Sequence, residues 1–396
     1  MFIRRIERLI VVCMIAGSVL LVSSCDELVS ILSRGDIDGA PEAVSVGVVL
    51  PQTGYLGPGE FGPGALVMED AFNLALEEIN YSQSGGAKLE FIVEDDRSTT
   101  DGAVSAFNKL IHQDRVPVIL GVWTSGVART VFPIAQENGV VAFSPVTLAA
   151  GLTDVGDFIF RAAQPTDVLI PAGIKATHEQ LGYQRAAMIS DSVDDFSRSS
   201  AEVIEQTLDD SGVGIVQSES FETGETDFTA QLSRIKDADP QVIFLSAQQI
   251  ESIHILKQAR KLGIPADVPF IGAILSADDI ESAEGAAEGA ITFAAWRSDA
   301  DTPGNQEFVE KYRTRFGREP SIWAALSYAV VHILAEAIEN AETPDSVGIR
   351  DALANISNLD TILGEFSFSE VGDGAYDPTV LIVKDGKLEV FGEGGM

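Results

Sequence analysis

The residues best placed to do chemistry lie in Gly121-Val-Trp-Thr-Ser-Gly-Val-Ala, where the apolar run 118–120 gives way to a helical pattern on Val127, Val131 and Ile134. Ser125 falls at the start of that helix. The first amides of a helix have no partner within it and carry the positive end of its dipole. The position therefore suits an anionic or strongly accepting group, with the Ser hydroxyl as a further donor. Capping its own helix is the competing role for Ser125. The next apolar run, 140–143, ends in Ser144-Pro-Val-Thr147, which brings a second polar loop to the same side of a sheet. Open α/β sheets bind ligands at the carboxyl ends of their strands.

Other chemistry is not signalled. Gly57-Pro-Gly59-Glu-Phe-Gly62 matches G-x-G-x-x-G letter for letter. A dinucleotide fingerprint, however, needs its first Gly in the tight turn directly after the strand, and here a Pro-stiffened loop intervenes after Leu50. Glu94 and Asp95 also lie well beyond the roughly 20 residues at which a ribose contact is expected. His112, His178, His254 and His332 are scattered singly through helical patterns without Cys partners, so neither a zinc site nor a general base is visible. The motifs G-x-x-x-x-G-K-[ST], H-E-x-x-H and G-x-S-x-G do not occur. Paired acids such as Asp95-Asp96, Asp194-Asp195, Asp209-Asp210 and Asp278-Asp279 are plentiful, but in a chain with 60 acidic against 26 basic residues they read as solvated loop or capping residues. No cofactor, no metal and no enzymatic activity are expected.

A net charge of −34 excludes nucleic acid as a partner and keeps the chain soluble. At 396 residues with 45% hydrophobic content, two domains with real cores are expected. The opening is of another kind: Arg4 and Arg5, an apolar stretch over 9–22 broken by Gly17 and Ser18, then Val22-Ser-Ser-Cys25. It is short for a membrane span and reads as a cleaved export signal over 1–24. V-S-S-C resembles the lipobox of bacterial lipoproteins, in which the Cys thiol is acylated and becomes the new first residue; an ordinary signal peptide with a chance Cys is the alternative. Several acyl chains on Cys25 would anchor the protein stably to a bilayer outside the cytoplasm. The only other Cys, Cys13, lies in the signal, so the mature fold has no disulfide. Residues 25–43 read as the lipidated Cys and a flexible tether.

From Val44 onward, short apolar runs alternate with amphipathic helical stretches, the pattern of parallel strands covered by helices. Runs at 44–50, 89–93, 118–120, 140–143 and 158–161 form one cycle, and those at 186–190, 212–217, 242–245 and 269–272 form a second. Two similar α/β lobes follow from this repetition. Helical patterns at 305–317 and 321–341 come next, with strands near 365–368 and 379–383, and no second membrane segment is apparent.

In order and spacing, G-V-V-L-P-Q-T-G (47–54), A-L-E-E-I-N (75–80), V-E-D-D (93–96), G-V-W-T-S-G (121–126), F-S-P-V-T-L-A-A-G-L-T-D (143–154), D-F-T-A-Q-L-S-R-I-K (227–236), Q-A-R-K-L-G (258–263) and F-S-E-V-G-D-G (368–374) resemble the type I periplasmic binding proteins, in particular the leucine/isoleucine/valine-binding branch that serves ABC importers. The resemblance implies two Rossmann-like lobes with parallel-type sheets joined by a three-strand hinge. It places the crossings near 165, 297 and 363, so that 44–165 with 297–362 form one lobe and 166–296 with 363–396 the other. Ser125 matches the Ser that donates to a ligand carboxylate, with Trp123 and Thr124 beside it. Val146, Thr147 and Leu148 match the loop that holds the ligand's amino and carboxylate groups. Phe196 matches an aromatic lid, Gln248 and Ile274 match opposing loop contacts, and Tyr55 or Phe61 matches an aromatic contact from the first lobe.

Two departures stand out. Ile274 occupies the position where amino-acid binders of this branch pair the ligand's ammonium with an acid, and Leu148 replaces a common Thr. An ammonium buried without an anion is costly, so a free α-amino acid fits less well, unless Asp278 or Asp279 substitutes. The reading is a monomeric, lipid-anchored receptor that captures a small polar solute, amino-acid-like or amide-like, and hands it to an ABC permease. A sensor of the same fold feeding a signalling partner, or a cleft hydrolase, is the alternative.

Overall fold

A computed structural model describes residues 43–59, 64–81, 88–272 and 274–392. The expected leader, Cys25, all but the last residue of the tether, and Phe61 lie outside these residues.

Strand β1 (Val44–Leu50) is buried almost throughout, as a central parallel strand covered on both faces must be. Its side chains alternate between two cores: Val46 and Val48 join Met68 and Phe72 of α1 (Leu66–Tyr81), whereas Val49 faces the opposite layer. β2 (Leu89–Asp95), β3 (Val118–Gly121), β4 (Val141–Ser144) and β5 (Ile159–Arg161) complete an all-parallel sheet in the order β2-β1-β3-β4-β5. α2 (Thr100–Lys109) and α3 (Ser125–Glu137) cover the Val49 face. The order reverses between β1 and β3, and the loops that diverge there open a crevice at the carboxyl ends of the strands.

The chain then crosses through 162–165 into α4 (Thr166–Leu181), β6 (Arg185–Asp191), α5 (Asp195–Asp210), β7 (Gly214–Phe221), α6 (Thr229–Asp237), β8 (Val242–Ser246), α7 (Gln249–Lys261), β9 (Phe270–Ile271), α8 (Ala277–Ser282) and β10 (Ile291–Ala294). The parallel strands β7-β6-β8-β9-β10 repeat the strand order of the first sheet, so the second lobe has the same switch point, between β6 and β8. Residues 295–304 lead back to α9 (Asn305–Phe316), α10 (Ile322–Asn340) and α11 (Ser346–Ala354). By length and composition α10 is apolar enough to cross a membrane, yet buried side chains run from Trp323 to Ala337, packed against α1 and the first sheet. A helix that is apolar on all sides belongs in a core, and this one is in a core.

β11 (Leu359–Thr361), β12 (Gly364–Phe368) and β13 (Gly374–Ala375) form a small antiparallel sheet. The third crossing, expected near 363, is placed too early by that reading. Phe366, Phe368 and Tyr376 all pack with the first lobe's core, and the Phe368 ring lies 5.1 Å from that of Phe160 and 5.5 Å from that of Phe143. Only after Tyr376 does the chain enter the second sheet, where β14 (Thr379–Lys384) pairs antiparallel with β10 and turns into β15 (Lys387–Val390). The second sheet is therefore mixed at this edge. The first and third crossings are tied together: Arg161 donates to Asp373, and the Gln164 amide donates to the Tyr376 carbonyl.

Candidate binding site

β3 ends in Gly121, whose φ of +120° only glycine adopts freely; a Cβ there would lie 2.1 Å from the Val49 carbonyl oxygen. This tight exit turns the chain across the top of the sheet into α3. The cap of α3 is Thr124, extended at φ −95°, with its Oγ1 accepting from the Val127 amide at 3.3 Å. Ser125 is thereby released from capping. It sits in the first turn, 2% exposed, and its Oγ accepts from the amides of Leu148 (3.3 Å) and Ala149 (3.1 Å). Both bonds use its lone pairs, and among the described residues its own proton has no acceptor. The amides of Ser125 and Gly126 are likewise without partners there. The result is a hydroxyl and a helix-start amide of Ser125, both donors, at one edge of a cavity, with the free Gly126 amide next in the chain.

That cavity, about 20 Å³, lies between the lobes. The first lobe contributes Trp123, Thr124, Ser125, Val146, Leu148 and Trp323, and the second contributes Phe196, Ala247, Gln248, Gln249 and Ile274. Eight of the ten residues expected to contact a ligand thus meet in one space. Thr147 is not among them: its Oγ1 turns inward and donates to Ser144 Oγ at 3.0 Å. Tyr55 lines an adjoining cavity of about 120 Å³ that shares Trp123, Gln249 and Trp323 with the first. Its hydroxyl donates across the cleft to Oε1 of the fully buried Glu251 at 2.9 Å. Burial, with the Glu251 charge beside it, pushes the Tyr55 hydroxyl well above the usual phenol range.

Trp323, Ala247 and Gln249 were not among the expected residues. Trp323 starts α10 and packs its ring 5.7 Å from that of Trp123. The clue to it is Ser321, a cap whose Oγ accepts from the Ala324 amide and so fixes Trp323 in the first turn. Gln248 donates through Nε2 to both oxygens of Asp194, at 3.3 and 3.2 Å. Asp194 caps α5, and burial holds its carboxyl above the ordinary value against the hydrogen bonds from Ser197 and Gln248.

Asp278 and Asp279 line the second cavity, not the first. Asp279 accepts from both the amide and the hydroxyl of Ser276 at 2.7 Å through one oxygen, and burial lifts it to about 6. Burial also raises Asp278, with Arg318 pulling the other way. No group of three or more His, Cys, Asp or Glu among the described residues is arranged to hold a metal ion.

Behind the site, Arg161 is entirely buried. Its NH1 donates to the carbonyls of Ala149 (2.6 Å) and Thr147 (3.4 Å), its Nε pairs with Asp373, and its NH2 has no partner among the described residues. The loop whose amides hold Ser125 is thus itself held by the hinge. In front of the site the lobes touch. Arg129 on α3 forms a two-pronged pair with Asp195 on α5, and the Ala150 amide donates to Ser199 Oγ at 3.0 Å.

Two three-layer lobes of matching topology, closed over a cavity at their switch points, match a model described as periplasmic binding protein over residues 43–386. The chain belongs to this family. Among family members with known structures, it resembles a leucine-binding protein of Thermotoga maritima at 26% identity and a TM-score of 0.78, covering 88% of this chain and 97% of that one. It resembles equally the branched-chain amino acid transporter substrate-binding protein of Streptococcus pneumoniae in complex with isoleucine, at 26% identity and a TM-score of 0.78, covering 88% and 98%. A leucine-, isoleucine-, valine-, threonine- and alanine-binding protein of Pseudomonas aeruginosa is 25% identical over 303 residues, 76% of this chain and 80% of that one. These relatives are binding proteins, and family members of this kind work outside the cytoplasm.

Proposed function

We propose that the protein is a lipid-anchored extracytoplasmic receptor that captures a small polar solute, amino-acid-like or amide-like, and delivers it to an ABC permease without altering it. The observation that carries this reading is the inter-lobe cavity in which the free proton of Ser125 and the first amide of α3 face an apolar and aromatic wall drawn from both lobes. Such a wall supplies burial, while a few convergent donors fix orientation. A solute touching both lobes favours the closed state by its differential affinity for it. The relatives named for branched-chain amino acids support an amino-acid-like ligand. The absence of a carboxylate among the residues that line this cavity favours a ligand whose cationic group, if it has one, lies elsewhere. Anchoring through acylated Cys25 rests on the leader sequence and is tested by comparing membrane partition of the full chain with that of C25S.

A thermal-shift screen across branched-chain amino acids, short amides, urea derivatives and aromatic acids tests capture. A ligand at about 100 times its Kd adds roughly 2.7 kcal/mol to stability, a shift easily seen. A flat response from every class would remove the receptor reading, and chemical conversion of any bound solute would replace it with an enzyme.

A further inference from the structure

The two cavities are not independent spaces. They share Trp123, Trp323 and Gln249, so the indole pair forms a common wall, with donors at one end and acids at the other. At the donor end, Ser125 offers a proton that nothing in the described protein accepts. At the acid end, Asp279 is 6% exposed and uses one oxygen for both contacts with Ser276, leaving its other oxygen without a hydrogen bond among the described residues. The neighbouring Asp278 is half-buried, and its carboxylate makes no hydrogen bond or ion pair there. Arg318, the cation that acts on it, is already paired with Asp70.

Two helix starts, of α8 and α10, also meet this end, where Ser276 and Ser321 each cap one amide, those of Asp279 and Ala324; the partial charge of these short starts is small beside two carboxylates. The local balance is negative. A partly buried acid without a partner is a cost that a ligand cation would relieve. The indole faces between the two ends suit an apolar spacer and add an attraction for a cation passing over them. An α-amino acid cannot use this arrangement: its ammonium is one carbon from its carboxylate and would lie beside Ile274 and Gln248, with no acid in that cavity.

We propose that the ligand is an elongated solute with a carboxylate or amide oxygen seated on Ser125 and a cationic group at its far end facing Asp278 and Asp279, the two separated by an apolar spacer lying along Trp123 and Trp323. ω-Amino carboxylates are the simplest members of this class. This rests on the solute-receptor reading above and deepens it.

The test is titration calorimetry on the full-length protein with 5-aminopentanoate and 6-aminohexanoate, against pentanoate, hexanoate and leucine. The ω-amino acids should bind at least about tenfold more tightly than both the plain acids and leucine. D278N should abolish their preference over the plain acids, while S125A should weaken both kinds of probe. Leucine equal to or tighter than the ω-amino acids, or a preference that survives D278N, would overturn the extended-ligand proposal and leave the receptor standing. Silence from these probes together with a flat thermal-shift screen would remove both.

Discussion

Ser125 is a structural acceptor whose proton is unused among the described residues, which in the proposed receptor makes it a recognition donor as well. Its lone pairs hold Leu148 and Ala149, and its proton is left for a solute. Replacement by Ala deletes both. S125A should therefore lower affinity by about ten- to a hundredfold, the range for losing a hydrogen bond to a charged group. It should also lower Tm by several degrees, because two buried amides lose their acceptor. Calorimetry and thermal denaturation read these separately, and an unaltered affinity would mean that the donor lies elsewhere. The sequence exposed Ser125 through its place between an apolar run and a helical pattern. Thr147 lies in the same loop as Leu148 but outside the cavity lining. Its hydroxyl satisfies Ser144 three residues back, a local side-chain bond that competes with any outward role and leaves no trace in spacing. Trp323 was missed because its partner, Trp123, is distant in the chain, and a single sequence carries no signal of such a meeting.

At the scale of elements, the segment after β11 carries the main lesson. A strand near 365–368 was legible, but its sheet was not: the aromatic stacking of Phe368 on Phe143 and Phe160 keeps it with the first lobe, and a pattern of alternation does not say which core a strand faces. That segment delivers Asp373 to Arg161, and Arg161 supports the carbonyls of the loop whose amides hold Ser125. R161M removes a fully buried cation, leaves Asp373 only its hydrogen bond from Thr153, and leaves the Ala149 carbonyl unmet. Breaking such a buried pair costs about 3–5 kcal/mol, so urea denaturation should show a matching loss of stability. R161M combined with D373N should recover part of it. A double variant no more stable than R161M would show that the pair is not what holds the crossings together.

Across the whole molecule, contacts between the lobes fall into two kinds. The Arg129–Asp195 pair is largely exposed on the Arg side and is worth about 0–1 kcal/mol. The Tyr55 bond to Glu251 reaches a fully buried carboxylate whose second oxygen has no partner among the described residues. Y55F should therefore shift the ligand-free protein toward an open form more than R129A does, seen as a larger radius of gyration in small-angle scattering. Equal effects would mean that the buried bond adds nothing to closure.

Protons act on the whole molecule too. Burial raises both Asp96 and Asp279 to about 6, from an ordinary value near 3.8. Protonation thus favours the native state. The stability these groups contribute is fully present below about 3.8 and is lost as pH rises through about 6, up to about 3 kcal/mol each. Self-repulsion at −34 acts in the same direction. Glu78 opposes them: burial would raise it, but His332, Tyr328 and Lys311 together hold it near 2, so its contribution fades as pH falls below about 4.5. Thermal stability should peak near pH 5 and decline toward pH 8, a decline softened by added salt. A Tm that climbs from pH 5 to 8 would contradict this balance.

The burial of α10 sets a condition on how the protein reaches its fold. Before the first lobe closes, Ile322–Asn340 is a greasy nineteen-residue stretch, and in the lipid-anchored form proposed above it would emerge beside a bilayer. Oil and core compete for it. If the proposed anchor holds the chain there, variants that slow assembly of that lobe are expected to be lost into the bilayer rather than to precipitate, and rapid docking of this one segment onto α1 would keep the protein from becoming an accidental membrane protein.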